Sequence, residues 1–311
     1  MIRSSALVLL LASFAGAQTP CLDGFGQSNN FLAGTTMGGP NLTVAIQLQN
    51  GASPLLVDAI EVFSGGRSGA SSLSLYSHDP VNNVPGTSLG GARFSLSSVV
   101  DWQGVTLPTP VPLTANQTFW LVWEPVNGCQ ISAEQRNRAG EPYRGSFDGG
   151  RSWNGPFQNY DWKYRLWCGG YVPGGAEVFG QGCPGSGRGS PRIGATAIPR
   201  IGGSLDVTLA GAVANGTAIV ALGASDSLWG GAIRLPYRMD PIGAPGCVVW
   251  IDLLATASQT TSAVGEATFP LTVANDPALV GVQVYAQWLG RDAVNSLGLV
   301  TSDALELTVG S

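Results

Sequence analysis

The sequence contains few charged residues and almost no lysine or histidine. Of 311 residues, 15 are Lys or Arg and 20 are Asp or Glu, so charged residues make up 11%, against about 25% in an average globular protein. Lys163 is the single lysine and His78 the single histidine. Because helix surfaces rely on Glu, Lys and Arg, this composition argues against helical bundles and coiled coils. One histidine also argues against most metal and acid–base sites that use imidazole.

Three further absences narrow the class of protein. The net charge of −5 argues against nucleic-acid binding, which needs clustered Lys and Arg. No C-x-x-C motif occurs, so nothing supports a zinc or thioredoxin-type site. No apolar run approaches 18 residues, so no membrane-spanning helix is expected. What is abundant is glycine (44), proline (20) and hydrophobic residues (44%), which together indicate a folded, loop-rich, all-β protein.

The N-terminus has the features of a signal peptide. Arg3 supplies the positive charge, residues 6–14 are apolar, and Ala15-Gly16-Ala17 has the pattern of a cleavage site. This pattern predicts a signal peptide over residues 1–17 with cleavage near Ala17. We therefore expect a secreted or extracytoplasmic protein.

Five cysteines lie beyond the predicted cleavage site. An oxidising compartment favours disulfides, and an odd count leaves one cysteine over. Cys183 and Cys247 are the two cysteines of the second half, so we expect them to pair. Cys129 and Cys168 each end a strand-like run in the first half, which favours a second pair. Cys21 is then the unpaired cysteine.

Hydrophobic alternation predicts two β-sandwich domains. In residues 21–172 apolar residues alternate over 42–48, 57–63 and 160–166, whereas 118–123 is almost continuously apolar and typical of a strand buried on both faces. This density of short strands predicts a jelly-roll-like sandwich. A Gly/Pro-rich linker is expected over 173–190, overlapping the next domain. Seven evenly spaced strand candidates and a helical turn at 276–279 then predict an Ig-like antiparallel sandwich over 179–311.

Several loop motifs of the second half carry a resemblance to a known group of proteins. They are Gly180-Gln181-Gly182-Cys183-Pro184-Gly185-Ser186, Ala221-Leu222-Gly223, Gly243-Ala244-Pro245-Gly246-Cys247, residues 275–281 and residues 301–305. With them the second half resembles the C-terminal module of uncharacterised secreted proteins from planctomycete-type bacteria. The first half resembles, more weakly, the sandwich modules that accompany such tails. The resemblance implies a bacterial two-module β-sandwich protein and no particular activity.

Residues 146–153 fit the pattern S-x-D-x-G-x-S-W, which resembles the Asp-box of sialidase-like proteins. Asp148 can accept hydrogen bonds inside a tight turn, and Gly150 can adopt a positive φ. Trp153 can pack against the base of the hairpin. The motif therefore predicts a structural hairpin built on Ser146, Asp148, Gly150, Ser152 and Trp153. A propeller sialidase would need several such boxes, so one box does not predict that fold.

Aromatic residues are concentrated in the segment 143–171, which holds nine of the 26 in the chain. Tyr160, Trp162 and Tyr164 alternate along one face of a predicted strand, where they could form a stacking platform for sugar rings. Arg165, on the other face, could add polar contacts. These residues and Trp153 are the candidate ligand-binding residues. The alternative interpretation is that the rings fill the core of the sandwich.

Other candidate sites have weaker patterns. Glu134, Glu141, Asp148 and Asp161 are the carboxylates that a glycoside hydrolase could use in pairs. Calcium could be bound by Asp79 with Asn82 and Asn83, or by Asp226 with Asp240, although no repeated calcium-binding spacing occurs. No other cofactor is expected. His78 is expected in a turn after a strand, without a catalytic role.

Taken together, these patterns predict an exported, non-catalytic binding or adhesion protein. Its partners would be polysaccharides or cell-surface components, bound through an aromatic face of the first domain. A structural component of the cell surface or envelope, with no small ligand, is the alternative hypothesis. A glycoside hydrolase is a further and minor alternative.

Overall fold

The structure, a computed structural model, describes residues 18–24, 34–36, 42–135, 140–187 and 189–311. The predicted signal peptide, residues 1–17, lies outside the described residues. The described chain consists of β-strands and two 3-10 turns, and it contains no α-helix. No described helix has the length and apolar character needed to cross a membrane. The all-β fold class predicted from the sequence is confirmed.

Two antiparallel sheets form the first sandwich. Their strands, in chain order, are β1 (Leu22–Asp23), β2 (Gly34–Thr36), β3 (Thr43–Gln49), β4 (Leu55–Gly65), β5 (Gly69–Asp79), β6 (Val84–Leu96), β7 (Asp101–Leu113), β8 (Thr118–Glu124), β9 (Gln130–Gln135), β10 (Tyr143–Ser146), β11 (Asn154–Phe157), β12 (Tyr160–Trp162) and β13 (Tyr164–Trp167). The seven-stranded sheet has the order β1-β13-β4-β9-β12, with β7 also on β4 and β2 also on β9. The six-stranded sheet has the order β11-β10-β3-β8-β5-β6.

The core of the first sandwich lies between these two sheets. Val44 and Ile46 of β3 and Leu121 of β8 pack there against Ile60 and Val62 of β4. The alternation seen in the sequence places these side chains inward because successive residues of a strand point to opposite faces. Strand β8 is buried along nearly its whole length, so the predicted burial of both its faces is confirmed.

The second sandwich is also antiparallel. Its strands are β14 (Gly175–Phe179), β15 (Arg192–Ala195), β16 (Ser204–Ala210), β17 (Thr217–Gly223), β18 (Leu228–Trp229), β19 (Ile233–Arg234), β20 (Tyr237–Arg238), β21 (Val248–Val249), β22 (Ala255–Thr260), β23 (Ala267–Thr272), β24 (Gln283–Arg291) and β25 (Leu299–Thr308). The 3-10 turns are Asp240–Ile242 and Pro277–Leu279. A five-stranded sheet, β14-β25-β24-β17-β22, packs on a three-stranded sheet, β15-β16-β23, around a core that includes Val207, Val220 and Trp288.

Two sequence expectations for this region differ from the structure. Gly175–Phe179, within the expected linker, is a strand that pairs with β25 over five residues. Ala255–Thr260 is a further strand, although most of its residues are exposed and its apolar signal is weak. The helical turn expected at 276–279 is confirmed. Asp276 caps it, because its carboxylate accepts a hydrogen bond from the backbone N–H of Ala278.

The disulfides correct one of the two predicted pairings. Cys183 is bonded to Cys247, as predicted. Cys168 is bonded to Cys21 and not to Cys129, which is a free, buried thiol. The physical reason is strand order: β1 lies directly beside β13, which brings Cys21 next to Cys168, whereas Cys129 points into the core. Two disulfides indicate an oxidising, extracytoplasmic compartment.

The outer faces of the two sheets of the first sandwich have different surroundings. The outer face of the seven-stranded sheet meets the second sandwich, where Arg200 forms an ion pair with the fully buried Glu61 at 3.0 Å. The backbone N–H of Ile198 also donates to the Asp101 carboxylate across this contact. We call this side the covered face. The outer face of the six-stranded sheet, which we call the open face, carries half-exposed rings and exposed charges.

Candidate functional site

Strand register defines which side chains form the open face. Residues directly opposite each other in an antiparallel pair lie on the same side of a sheet. Gln47 is opposite Trp120, which is opposite Tyr76. Ala45 is opposite Val122 in the adjacent row. These five side chains therefore lie together, on the side of the six-stranded sheet that faces away from the core.

The open face has an apolar floor with two half-buried rings on it. Ala45, Trp120 and Val122 are buried and form a cluster separate from the main core. Tyr76 and Trp153 pack against this cluster and remain partly exposed. Half-exposed rings over an apolar floor suit contact with the faces of a sugar ring, because each ring combines apolar area with a polar edge.

A hydrogen-bonded polar group borders this floor. The indole N–H of Trp120 donates to Nδ1 of His78 at 3.1 Å. The Gln47 amide donates to the Asn83 side-chain oxygen at 2.9 Å. Because His78 Nδ1 accepts, the ring proton of neutral His78 lies on Nε2. The sequence analysis expected His78 in a turn after a strand. This expectation is wrong, because His78 lies within β5. It fixes the orientation of Trp120 on the open face.

At the other end of the open face lies a cavity of about 380 Å³. A row of opposed residues crosses it, with Glu124 opposite Ser72 and Ser72 opposite Arg93. Thr43 also lines the cavity. Arg93 and Glu124 are both exposed. We find no ion pair or side-chain hydrogen bond between either of these charged groups and another described residue. A carboxylate and a guanidinium in this arrangement can bind a ligand rich in hydroxyl groups.

The Asp-box turn forms one wall of this cavity, through Gly149. Ser146 donates to the Asp148 carboxylate at 2.7 Å, and Ser152 donates to it at 2.6 Å. Hydrogen bonds from the Ser152 hydroxyl and backbone N–H, with that from Ser146, lower the pKa of Asp148 well below its usual value. Gly150 has φ of 83°, as a turn of this type requires. The predicted hairpin is confirmed, and it places Trp153 on the open face.

The other aromatic candidates do not form an exposed platform. Trp162 and Tyr164 are only 2% and 3% exposed, so the prediction of a binding surface built on them is wrong. Their strands belong to the seven-stranded sheet, and both rings point into the core. Tyr160 is half-buried and packs 6.2 Å from Trp162 in the same ring cluster. Burial raises the pKa of the neighbouring Tyr143 to about 12. These rings stabilise the sandwich.

The carboxylates proposed for hydrolysis are partly separated. Asp148 is committed to the Asp-box turn. Asp161 lies opposite Glu134 in the β12–β9 pair. Glu141 accepts a hydrogen bond from the Tyr164 hydroxyl at 3.2 Å. Burial, with repulsion from Asp161, raises the pKa of Glu141. Glu141 and Asp161 therefore interact electrostatically.

Four of the five candidate calcium ligands, Asp79, Asn82, Asn83 and Asp240, form hydrogen bonds with other protein groups. Asp79 accepts from the backbone N–H of Val81 and from the side chain of Asn82, which lowers the pKa of Asp79. Asp240 pairs with Arg238 at 3.1 Å. Within the described ranges, no group of three or more His, Cys, Asp or Glu side chains is placed to hold a metal ion.

Comparison with known proteins adds little to this geometry. No protein-family model matches the chain, and no curated protein matches it. Among solved structures, it is similar to a beta-glucuronidase from Bifidobacterium dentium in complex with coumarin-3-O-glucuronide. The identity is 10%, and the match covers 81% of this chain and 36% of that one, a little over a third of its length. The TM-score of 0.17 is too low for any site or activity to be carried over.

Proposed function

We propose that this protein is an exported glycan-binding protein that uses the open face of its six-stranded sheet. The observation that carries the proposal is the pair of half-exposed rings, Trp153 and Tyr76, beside a cavity bordered by Arg93 and Glu124. The rings supply stacking surfaces, and the charged groups supply hydrogen bonds to hydroxyls. Two disulfides and the signal-peptide pattern of residues 1–17 support action outside the cytoplasm.

The geometry favours an extended neutral polysaccharide over a small enclosed ligand. The floor and the cavity lie on one sheet face, so a chain of several sugar units can contact both. Arg93 and Glu124 are of opposite charge and offset each other in the cavity.

A glycan array, followed by titration of the best ligand by calorimetry, tests the proposal. The Trp153→Ala and Tyr76→Ala variants are each expected to weaken binding about tenfold, which corresponds to about 1.4 kcal/mol of lost contact. Trp229→Ala, a half-exposed ring of the second sandwich, is the matched control and should leave the affinity unchanged. The proposal would be contradicted if the protein bound no glycan on the array. It would also be contradicted if a folded Trp153→Ala/Tyr76→Ala double variant kept full affinity.

One observation favours a second candidate, a glycoside hydrolase. Glu141 has a raised pKa and interacts with Asp161, as a general acid beside a second carboxylate would. The array ligands should therefore also be assayed for released reducing ends. Turnover that disappears in Glu141→Gln, and that persists in Trp229→Ala, would replace the binding proposal with a catalytic one.

A further inference from the structure

A second cavity lies where the second sandwich meets the covered face. Its volume is about 780 Å³. The first sandwich contributes Arg165 and Trp167, and the following segment contributes Tyr171. The second sandwich contributes Arg200 and a partly apolar wall, formed by Ile201, Asn275, Pro277 and Val280, with Ser311 at its edge. The size is that of a small-molecule site.

Arg165 has a guanidinium group that donates no hydrogen bond to another described residue. Its guanidinium carbon lies 3.7 Å from the ring centre of Trp102 and 5.9 Å from that of Trp167. The Nε atom is buried without an acceptor. Across the described chain we find no side-chain hydrogen bond from Arg165. A buried N–H donor without an acceptor lowers the stability of the folded protein, because it has lost its hydrogen bonds to water.

The neighbouring Arg200 shows the contrast. It donates to the Glu61 carboxylate at 3.0 Å, to the carbonyl oxygen of Trp102 at 2.9 Å, and to the Tyr171 hydroxyl. Glu61 also accepts from Trp167 at 3.0 Å and from Tyr171 at 2.9 Å. Both oxygens of Glu61 are thus occupied, although it lies directly opposite Arg165 in the β4–β13 pair.

The charges around the cavity determine which charged ligands it can bind. Two cations, Arg165 and Arg200, face two carboxylates, Asp23 and Glu61, which lie opposite Arg165 on β1 and β4. No ion pair joins Asp23 to Arg165 among the described residues. Burial lowers the pKa of Arg165, and the nearby Arg200 adds to this, while Glu61 opposes it. A carboxylate would give the Arg165 guanidinium the acceptors that it lacks, whereas a group of higher negative charge would be repelled more strongly by Glu61 and Asp23.

We propose that this cavity binds a ligand with one carboxylate on a ring-shaped body, and that Arg165 receives the carboxylate. A guanidinium presents paired donors that match the two oxygens of a carboxylate. The walls formed by Trp167, Ile201 and Val280 suit the less polar faces of the ring. A sugar acid has this chemistry, either free or as a unit of an acidic polysaccharide. This site is separate from the open face, and neither proposal depends on the other.

Calorimetry with the full, disulfide-intact chain tests this site. Free galacturonate and an oligogalacturonide are the probes, and galactose and inorganic phosphate are the comparison ligands. We expect a galacturonate ligand to bind, galactose to bind at least tenfold more weakly, and phosphate to bind no better than galactose. Binding by free galacturonate assigns the site to small sugar acids, and binding by the oligomer alone assigns it to an acidic polysaccharide.

The Arg165→Met variant separates binding from folding, because methionine keeps an apolar side chain against Trp102. It should weaken carboxylate binding at least tenfold. Its melting temperature without ligand should not fall, since an unpaired cation is removed. Arg291→Met, an exposed arginine of β24, is the matched control and should bind normally. No carboxylate binding by the natural chain, undiminished binding by a folded Arg165→Met variant, or phosphate binding as tight as that of galacturonate would overturn the proposal.

Discussion

The open and covered faces of the first sandwich are built from similar alternating strands, yet their aromatic side chains differ in exposure. On the open face Trp153 and Tyr76 are half-exposed over an apolar floor. On the covered face Trp167 and Tyr171 stack in parallel at 3.8 Å and are buried under the second sandwich. The same residue types therefore form an accessible candidate binding surface on the open face, and on the covered face a packing layer that also lines the cavity between the sandwiches.

The two faces also differ in how their charges are satisfied. Glu61 on the covered face is fully buried and has three hydrogen-bond donors around it. Glu124 on the open face is exposed. Buried ionic groups depend on their partners because an unpaired charge in the interior is costly. Removal of Glu61 from the covered face should therefore cost stability, whereas removal of Glu124 from the open face should leave stability almost unchanged.

The largest effect on stability is expected at the edge of the seven-stranded sheet, where the disulfide between Cys21 and Cys168 joins β1 to β13. Replacing both by serine should destabilise the protein by up to about 5 kcal/mol, because the bond closes a loop of 147 residues and the unfolded chain gains entropy without it. Replacing Cys183 and Cys247, which close 64 residues, should cost about 0.7 kcal/mol less in the same model. Chemical denaturation of both variants measures the difference.

That comparison also tests the corrected disulfide pairing. A Cys129→Ala variant leaves both bonds in place and should lose only the packing of one small side chain. Peptide mapping of the non-reduced natural protein should find Cys21 linked to Cys168. A linkage between Cys129 and Cys168 would contradict the strand arrangement described here.

A smaller effect is expected from the buried ion pair of the covered face. Glu61→Ala should destabilise the protein by about 3 kcal/mol, because it leaves Arg200 without its charged partner. Glu124→Ala is the matched change on the open face and should alter stability by about 0.5 kcal/mol or less. Denaturant unfolding of the two variants makes the comparison.

A double variant shows whether the cost comes from the orphaned charge. Replacing Glu61 and Arg200 together by leucine should recover part of the loss, since an apolar pair can substitute for a buried ion pair. Equal losses in Glu61→Ala and Glu124→Ala would mean that the two faces do not differ in the way proposed.

The sequence predicted the architecture better than the surfaces. Alternation and continuous apolar runs identified β3, β4, β8 and β13, since period-two burial is a local signal. The turn chemistry of the Asp-box was readable for the same reason. Tertiary contacts were not readable. The sequence left Tyr160, Trp162 and Tyr164 open between a binding surface and the core, because alternation alone does not tell which face meets the core; the core interpretation is confirmed for Trp162 and Tyr164. The pairing of Cys21 with Cys168 depends on strand order, which leaves no mark in residue spacing.

The open-face residues missed by sequence reasoning had a usable but indirect signal. Trp120 and Val122 lie in the run expected to be buried on both faces, which implied an apolar floor opposite the core. Tyr76 follows an alternating Ser/Leu stretch and was readable as the outward-facing aromatic of β5. Arg93 and Glu124 had no such signal. They meet only because β8, β5 and β6 are neighbours in the sheet.

The smallest expected effect is at the Asp-box hairpin, which lies at the edge of the six-stranded sheet. Its turn is stabilised by hydrogen bonds and not by a disulfide. Asp148→Asn should lower the melting temperature at neutral pH by roughly 2 °C, because it removes the charge that accepts from Ser146 and Ser152. The pKa of Asp148 is lowered in the folded state, so its contribution is complete above the unfolded value of about 4 and is lost as the pH falls below it. The melting temperatures of the natural chain and of Asp148→Asn should therefore converge in acid.

The control is Asp226→Asn, a change at an exposed residue of the second sandwich, which should show no comparable difference at neutral pH. If the gap between the natural chain and Asp148→Asn stayed constant down to pH 2, the turn would be held by its backbone conformation and not by the carboxylate. The edge of the open face would then be independent of charge.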